Sequence, residues 1–313
     1  MKHCPWRGHC RTVVPAAAIV ATLMAGLLTA RVTSAQCAGD CHADGRVTID
    51  ELVTMVNVAL NIAPAIACAV GDASLDGMIT VDEIIDAVGD SLGDCTAPTV
   101  RRSFDFRSGR QGWAAGFADY APEMVDLLEI DAGLRALPPE LDLVGPGFVL
   151  SGANRSDDLF MFLKRQLTAA DGIKPGQTYT IDYVLVFASA APTGCAGIGG
   201  APGESVYLKA GAASVEPLAS LDAVDNHVRM NVDKGNQAGG GPAASLVGNV
   251  ANGRPCEPGA ESFVSLRRPH QHPSPVTASA EGSLWLLVGT DSGFEGTTTL
   301  YYQRVEVRLT PSS

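Results

Sequence analysis

The sequence predicts a multidomain protein in which a small all-α domain precedes a larger all-β sandwich. The first observation is an internal repeat, because residues 39–51 recur 32 positions later as residues 71–83. The second is the apolar spacing of three and four residues after each copy, which predicts one amphipathic helix per copy. The third is a change to a period of two beyond residue 100, which is typical of antiparallel strands.

Each predicted helix carries its apolar residues on one face. Because the two copies are equivalent, we expect the two faces to pack against each other. The apolar positions are Leu52, Val53, Val56 and Leu60 in the first copy and Ile84, Ile85, Val88 and Leu92 in the second.

The first 35 residues have the order of a bacterial secretory signal peptide. Lys2, Arg7 and Arg11 precede an apolar run at 13–30, and small residues end the segment at Ala35. We expect cleavage there and a secreted or cell-surface protein. A transmembrane anchor is the alternative, because the run approaches the roughly 20 residues that cross a bilayer. No later segment is long and apolar enough, so we expect no membrane span in the mature chain.

The charge of the mature chain is strongly negative and unevenly distributed. Loss of the four basic residues in the signal segment takes the net charge from −12 to −16. Residues 36–95 hold eleven carboxylates and one base, Arg46. Such a chain repels phosphate backbones, which excludes nucleic acid as a partner. The acidity is concentrated where it can serve a cation.

The cysteines beyond the signal segment form two even groups, which predicts disulfides within each domain and an oxidising compartment. The first group allows three pairings, and we favour a bond from Cys95 to Cys37 or Cys41. In the second group one bond is available. A zinc site is the alternative for the first group, but the spacing is unlike that of zinc ligands. The groups are Cys37, Cys41, Cys68 and Cys95, and Cys195 and Cys256.

Each repeat has the residues of a twelve-position calcium loop. Such a loop takes oxygens from positions 1, 3, 5, 7, 9 and 12, and it turns at a glycine in position 6. Position 7 contributes its backbone carbonyl. Imidazole is a soft ligand for a hard cation, so His42 predicts weaker binding in the first loop. The candidate ligands are Asp40, His42, Asp44, Arg46, Thr48 and Glu51 in loop 1 and Asp72, Ser74, Asp76, Met78, Thr80 and Glu83 in loop 2.

A duplicated loop followed by a single helix resembles the dockerin family, over residues 38–95. The resemblance implies a Ca²⁺ cofactor in each loop, a small antiparallel helix pair and a cohesin-like protein partner, usually in polysaccharide-degrading assemblies. Loop positions 10 and 11, which in the family often carry hydroxyl residues for cohesin recognition, are Ile49-Asp50 and Val81-Asp82 here. An intramolecular docking module or spacer is therefore the alternative.

A linker at 96–100 separates the predicted domain at 36–95 from the β-sandwich at 101–313. Nine strands are expected, and we expect residues 231–275 to be mostly loop. A jelly-roll-like arrangement accommodates this pattern. The expected strands lie at 100–106, 124–130, 148–151, 159–163, 178–189, 205–209, 227–232, 284–289 and 298–309.

The two ends of the β-domain are similar to those of jelly-roll carbohydrate-binding modules. The similar segments are Ser103-Phe104-Asp105-Phe106, Gly112-Trp113 and the run at 300–307. The resemblance implies an extracellular glycan as ligand. Polar clusters suggest a ligand or further calcium site, with local turns as the alternative explanation. Its candidate residues are Asp157, Asp158, Asp233, Asp291 and Glu295.

No catalytic motif is recognisable in the chain. It lacks a Gly-x-Ser-x-Gly elbow, a His-Glu-x-x-His helix and a phosphate-binding loop, and His270-x-His272 suits an exposed turn better than a metal site. The sequence therefore favours a noncatalytic calcium-binding protein whose sandwich binds glycan or protein. The alternative is a secreted polysaccharide-active enzyme, for which the fold must bring two carboxylates together.

Overall fold

The computed structural model describes residues 37–92, 99–156 and 158–312. The expected signal peptide and most of the expected linker lie outside these ranges. The described residues form two α-helices, α1 (Ile49–Ala59) and α2 (Val81–Ser91), followed by strands. The strands are β1 (Val100–Asp105), β2 (Ala114–Ala118), β3 (Asp131–Ala136), β4 (Pro146–Ala153), β5 (Leu159–Leu167), β6 (Thr178–Ser189), β7 (Val206–Ala213), β8 (Ala219–Asp222), β9 (His227–Met230), β10 (Ser245–Asn249), β11 (Val264–Thr277), β12 (Leu284–Ser292) and β13 (Thr297–Ser312).

The strands form two large antiparallel sheets, which confirms the expected β-sandwich. The first sheet has the order β11-β6-β13-β4-β3, and β1 also pairs with β13. The second sheet has the order β10-β7-β12-β5-β2. Strands β8 and β9 form a separate hairpin. Among the described helices, none has the length and apolar character needed to cross a membrane.

The main core lies between the two sheets. Alternate residues of β6, such as Ile181, Leu185 and Phe187, are buried and belong to the same core cluster as Met161 and Val288 of the second sheet. This alternation is the pattern expected when one face of a strand is buried.

The outer face of the second sheet is covered as well. Strand β5 buries both faces, because Met161 belongs to the main core while Phe160 and Phe162 belong to a separate cluster with Leu287. Met230 of β9 is among the residues that pack on this second cluster. The segment from β8 to residue 244 thus closes a sheet face that would otherwise be open to solvent.

The prediction of a strand at 124–130 is wrong, because no strand forms there. Residues Pro122–Leu127 form a short 3₁₀ helix with Pro122 in its first turn, where a proline lacking a backbone N–H is tolerated. None of its residues is buried and most are exposed, so their apolar run does not mark a core strand.

Residues 231–275 lie mostly outside strands, as expected, but β10 and most of β11 fall within this segment and were not predicted. The sequence of β11 contains Pro269, Pro273 and Pro275, which usually interrupt strands. Strand β11 is at an edge of the first sheet, where one side of the strand needs no ladder partner, so prolines are tolerated.

Each helix of the small domain begins with a reciprocal cap. Thr48 precedes α1, and its backbone N–H and hydroxyl both donate to Glu51, at 2.8 and 3.0 Å. Thr80 and Glu83 repeat the arrangement at α2. A Thr-x-x-Glu cap of this kind stabilises the first turn of a helix.

The inward position of the capping glutamate decides which face of each helix is buried. In α1 the buried residues are Glu51, Met55 and Val58, and in α2 they are Glu83 and Ala87. These positions recur at intervals of three or four residues and therefore share a face.

We expected the apolar residues of the two helices to pack against each other. For six of the eight positions this prediction is wrong. Leu52 and Ile84 pack against the small core, but the other six positions face solvent. The exposed fractions are 53% for Val53, 39% for Val56, 63% for Leu60, 61% for Ile85, 39% for Val88 and 85% for Leu92.

The expectation of disulfides is confirmed by two bonds, Cys41–Cys68 and Cys195–Cys256. Cys37 is also disulfide-bonded. Cys95 lies outside the described residues, and its suggested bond with Cys41 is wrong because Cys41 is joined to Cys68.

The helical domain is held against the sandwich by arginines. Asp86 of α2 accepts hydrogen bonds from Arg101 at 2.8 and 2.5 Å and from Arg308 at 3.0 Å. Arg102 donates to the carbonyl of Ala73, in loop 2, at 3.1 Å. Loop 2 and its helix are therefore in direct contact with β1 and β13.

We expect Met55→Ala to destabilise the helical domain by about 2–4 kcal/mol, because the Met55 side chain is fully buried beside Gly39 and Gly71. The matched change on the exposed face, Val53→Ser, should leave stability within about 0.5 kcal/mol. Thermal unfolding at a fixed calcium concentration compares the two. Equal destabilisation by both variants would contradict the assignment of the buried face.

Candidate metal sites

Loop 1 is organised around two buried carboxylates. Asp40 accepts hydrogen bonds from the backbone N–H of Asp44 at 2.9 Å and of Gly45 at 2.8 Å. Glu51, at the other end of the loop, accepts from the N–H of His42 at 3.0 Å and of Thr48 at 2.8 Å. Asp40 is 1% exposed and Glu51 is fully buried. The first and last residues of the loop thus fold it around their own side chains.

Loop 2 repeats this geometry position by position. Asp72 accepts from Asp76 at 3.1 Å and from Gly77 at 2.8 Å, and Glu83 accepts from Ser74 at 2.9 Å and from Thr80 at 2.8 Å. In both loops the sixth residue has a positive φ, 86° in Gly45 and 87° in Gly77, which favours glycine. The internal repeat therefore encodes two loops of the same conformation.

The two loops differ at their third position. The ring Nδ1 of His42 lies 2.9 Å from Glu51 Oε1, so the imidazole occupies one oxygen of that carboxylate. The corresponding Ser74 instead donates its hydroxyl to Asp72 at 3.3 Å. Loop 2 offers a further oxygen at this position, whereas loop 1 offers a nitrogen.

The electrostatics of the loops favour a cation. Burial by itself raises the pKa of Glu51, but the hydrogen bonds from Thr48 and His42 outweigh this effect and hold the pKa below its usual value. Among the described residues, no lysine or arginine lies within 4.0 Å of Asp40, Glu51 or Glu83. A buried carboxylate without a basic partner is costly, so the oxygen-rich loops suit a hard cation.

The loop carboxylates are not drawn together as the ligands of one ion. Three acidic side chains that hold one ion bring their ligand atoms within about 4.8 Å of one another, and among the described residues the group that does so lies in the sandwich. In each loop, at least two of the three carboxylates are therefore farther apart than 4.8 Å. An ion in either loop therefore requires the side chains of the loop to close around it.

The group in the sandwich consists of three aspartates that could hold a metal ion: Asp119, Asp158 and Asp291. It lies on the covered outer side of the second sheet. Asp291 comes from β12, Asp119 follows β2 and Asp158 precedes β5. Asp119 has a φ of 65°, a left-handed conformation that aspartate adopts more readily than most residues.

Two lysines are buried with these aspartates. The ammonium of Lys209, which is fully buried, lies 2.8 Å from Asp291 Oδ2 and donates to the carbonyls of Lys234 and Gly239 at 2.9 and 2.8 Å. Lys234 contacts Asp291 Oδ2 and Asp119 Oδ2, each at 2.8 Å. The cluster holds the segment around residue 234 against the sheet.

Asp158 and Asp291 have opposite protonation tendencies. Burial and the neighbouring Asp291 raise the pKa of Asp158 to about 8. Burial alone would raise the pKa of Asp291 too, but its bond from Asp158 and the charges of Lys234 and Lys209 lower it. At neutral pH the pair therefore shares one proton, held mainly by Asp158.

Of the five candidate ligand residues in the β-domain, the structure brings two together, Asp158 and Asp291. Asp233 bonds locally, accepting from the N–H of Gly235 at 2.8 Å, and Glu295 lies in another loop, where its N–H donates to Ile198 at 2.9 Å. Asp157 lies outside the described residues.

Sequence reasoning missed Asp119, Lys209 and Lys234. One signal was present, because Lys209 interrupts the otherwise apolar run of β7, and a charged residue in a buried strand calls for a partner. Asp119 gave no such signal, because the short strand before it was not predicted.

His270 and His272 lie in β11 and not in an exposed turn. The hydroxyl of Ser245, in β10, is 2.7 Å from His270 Nε2 and 2.8 Å from His272 Nδ1. His272 Nε2 lies 3.0 Å from the carbonyl of Pro242 and must donate to it, so neutral His272 accepts from Ser245 at Nδ1. Ser245 and His272 are buried, and the network joins the edges of the two sheets.

No family model matches the chain, and no curated protein matches it. Solved structures that align with it include a carbohydrate-binding module of the β-sandwich superfamily with promiscuous specificity (12% identity, 64% of this chain and 58% of that one, TM-score 0.30). Two others are the CBM22-1 xylan-binding domain from Paenibacillus barcinonensis Xyn10C (13%, 67% and 94%, 0.30) and TmCBM61 in complex with β-1,4-galactotriose (9%, 66% and 94%, 0.28). Scores of this size do not establish a shared fold, and the sandwich described above rests on its own strand pairing.

Asp291→Asn is expected to destabilise the sandwich by about 3–5 kcal/mol, because it leaves the ammonium groups of Lys209 and Lys234 buried without their shared carboxylate. Denaturant unfolding measures the loss. Asp131→Asn, which removes the exposed partner of Arg135, is the matched control and should change nothing measurable. A similar small effect of both variants would show that the buried ion pairs add no stability.

The stability of the sandwich should fall as the pH drops below about 6.5, the pKa of an unfolded histidine. Burial lowers the folded pKa of His272, and burial together with the charge of His272 lowers that of His270 against the opposing effect of Asp182. The unfolded chain therefore takes up protons first, and stability is lost as the pH approaches the folded values.

The measurement is the unfolding free energy from pH 7.5 to 5.5 in wild type and in His272→Gln. The proton held by Asp158 affects both proteins alike and cancels in the difference. Wild type should lose more stability than the variant over this range. Parallel curves would contradict a neutral His272 in the folded protein.

Proposed function

We propose that the chain is a secreted, noncatalytic calcium-binding protein. A dockerin-like module at residues 36–95 binds one Ca²⁺ in each loop, and a jelly-roll-like sandwich at 101–313 binds an extracellular glycan or protein. The observation that carries the proposal is the pair of loops with the same conformation, each folded by backbone hydrogen bonds to the carboxylates of its first and last residues.

The donors in the loops select a hard cation. Carboxylates, hydroxyls and the carbonyls of Arg46 and Met78 supply oxygen, which Ca²⁺ prefers and which Mg²⁺ uses less readily because it retains its waters. Loop 2 has the more complete oxygen set, since Ser74 stands where loop 1 has His42. We therefore expect the tighter site in loop 2.

A protein partner is supported by the exposed faces of the helices. Ile49 and Val81, at the start of the helices, are 78% and 70% exposed and extend the apolar rows described above. Each helix thus presents a solvent-facing stripe, and the two stripes occupy equivalent positions of the repeat. Such duplicated apolar surfaces suit a cohesin-like protein. The contacts of Asp86 and Arg102 with the sandwich support the intramolecular alternative for another part of the module.

A glycan ligand is supported by a cavity of about 480 Å³ at one end of the sandwich. The half-buried rings of Phe263 and Phe294 line it together with Thr297, Thr298 and Thr299. Aromatic rings beside hydroxyl groups suit a sugar. Trp113 and Tyr302 are buried and provide no such surface.

The enzymatic alternative has less support. The three aspartates that converge are matched with Lys209 and Lys234, which hold Asp291 and Asp119 in ion pairs. The adjoining cavity, about 300 Å³, is small for a polysaccharide chain. Secretion is supported by the order of residues 1–35 and by the disulfides, which persist in oxidising compartments.

Calorimetric calcium titration of the mature chain tests the proposal. Glu83→Gln should remove the tighter loop site and Glu51→Gln the weaker one, each weakening its site at least about tenfold through loss of a charged ligand. Asp82→Asn and Asp50→Asn remove the same charge from exposed neighbours outside the ligand set and should leave both sites intact.

Two outcomes would overturn the calcium assignment. One is titration in which neither glutamate variant changes the heat, and the other is equal weakening by the glutamate and aspartate variants. The second outcome would mean that calcium responds to the general acidity of the module and not to defined loops.

A further inference from the structure

We propose that Lys209 and Asp291 join their side chains in an isopeptide bond, an amide that forms inside the folded sandwich without the help of another enzyme. The two residues lie on neighbouring internal strands of the second sheet, Lys209 on β7 and Asp291 on β12. The bond would therefore link these two strands covalently. The proposal depends neither on the calcium loops nor on a glycan ligand.

The register of the strands places the two side chains on the same face of the sheet. Lys209 pairs with Gly289, and Asp291 is two residues farther along β12. Residues two apart in a strand point to the same face, and such diagonal neighbours are within reach of a long side chain. Gly289 places no side chain between them.

The reacting groups are in contact and shielded from solvent. Both side chains are fully buried, and Lys209 Nζ lies 2.8 Å from Asp291 Oδ2. Because a C–O bond is about 1.2 Å long, the nitrogen is within about 4 Å of the carboxyl carbon. This is close to the separation of about 3–3.5 Å from which positioned groups react.

The hydrogen bonds of Lys209 suit a neutral amine, the form that can attack. Its Nζ donates to the carbonyls of Lys234 and Gly239 at 2.9 and 2.8 Å. A neutral amine has two N–H groups and one lone pair, so the two carbonyls take both hydrogens and the lone pair is left for Asp291. Burial lowers the pKa of Lys209 against the opposing charge of Asp291, which favours this form.

Lys234 has a different role. Burial alone would lower its pKa, but the charges of Asp291 and Asp119 raise it above its usual value. Its ammonium also lies 4.8 Å from the centre of the Phe160 ring, whose face attracts a cation. Lys234 therefore keeps its charge, and an ammonium has no lone pair with which to attack.

The surroundings of Asp291 assign a task to each of its oxygens. Oδ2 accepts hydrogen bonds from Lys234 Nζ at 2.8 Å and from the N–H of Gln237 at 2.9 Å. These donors stabilise the negative charge that develops on Oδ2 when an amine attacks the carboxyl carbon. Oδ1 is then the oxygen that leaves, and Asp158, which shares a proton with Asp291, is the acid that can protonate it.

The chemistry balances without an oxidant, a reductant or a cofactor. The ammonium of Lys209 first gives a proton to Asp291, which produces a neutral amine and a neutral carboxyl group. The amine attacks the carboxyl carbon, and the C–N bond forms. Asp158 donates its proton to Oδ1 and takes one from the nitrogen. The bond from carbon to Oδ1 breaks, and one water molecule leaves through the cavity that Asp158 lines.

The product suits the buried site better than the ion pair does. A buried ion pair bears the cost of removing two charges from water, whereas an amide carries no charge. The amide oxygen keeps the hydrogen bonds from Lys234 and Gln237, and its N–H keeps one of the two carbonyl partners of Lys209. Lys234 remains paired with Asp119 at 2.8 Å. The charges of the site are thus balanced before and after the reaction.

Mass spectrometry of the mature wild-type chain, unfolded and with its disulfides reduced, tests the proposal. The chain should be lighter than its sequence by one water molecule. Trypsin does not cut after a lysine whose side chain forms an amide, so the digest should contain a branched peptide in which Lys209 is joined to Asp291. Lys164 and Glu216 are an internal control and should stay unlinked, because they lie 2.7 Å apart but the Glu216 side chain is 42% exposed.

Asp158→Asn tests the proton transfer. Asparagine keeps the size of the protonated acid, so this variant should fold with Lys209 and Asp291 still in contact. It should form the bond at least about a hundredfold more slowly, because a positioned acid is lost. A time course of digests after cell-free synthesis measures the rate. Asp131→Asn, on the exposed surface, is the charge-matched control and should form the bond at the wild-type rate.

The proposal is overturned if the wild-type digest contains Lys209 and Asp291 only in separate peptides, or if another lysine such as Lys234 forms the link. A water molecule lost elsewhere in the chain also counts against it, since the digest locates the loss. Linkage of Asp158→Asn at the wild-type rate would overturn the role of Asp158. If this variant does not fold, the wild-type digest decides by itself, and calcium binding affects none of these results.

Discussion

The position of one carboxylate at the end of each loop, Glu51 in the first and Glu83 in the second, determines most of the helical domain. Each accepts backbone hydrogen bonds from its loop and from the cap of the following helix. The glutamate must therefore face inward, and the residues that share its helical face form the small core. The remaining apolar residues of the two helices face outward as a direct consequence.

The sandwich depends on an analogous arrangement on its covered side. Asp291 lies at the centre of this arrangement, since two lysines and a backbone N–H converge on one of its oxygens. These bonds hold the segment that follows β9 over Phe160, Phe162 and Leu287. In both parts of the chain, a buried acid organises a loop through the hydrogen bonds that it accepts.

The conformation of the two loops and most long strands were predictable because their signals are local. The positions of the loop residues are predicted by their spacing within a segment of twelve residues. Strand β6 is predicted by the alternation of apolar and polar residues along its own twelve residues. The prediction failed for β11, where prolines that normally break strands sit at a sheet edge, and for the short strands β2, β3, β8 and β10, whose alternation is too brief to detect. The prediction of which helix face is buried failed for another reason. Each helix has more apolar residues than a core of this size can bury, so hydrophobicity alone did not identify the buried face.

The sequence by itself determined the two loops, the helix that follows each one, the all-β character of the second domain and the presence of disulfides. It did so because turns, caps and periodicity depend on neighbours a few residues apart. Only the tertiary structure decided which apolar face is buried, which cysteine Cys41 joins, and which aspartates meet. Asp119, Asp158 and Asp291 are separated by dozens of residues, so their convergence depends on strand order and on the segment that covers the second sheet. No local pattern carries that information, because the free energy that brings them together belongs to the packing of the whole sandwich.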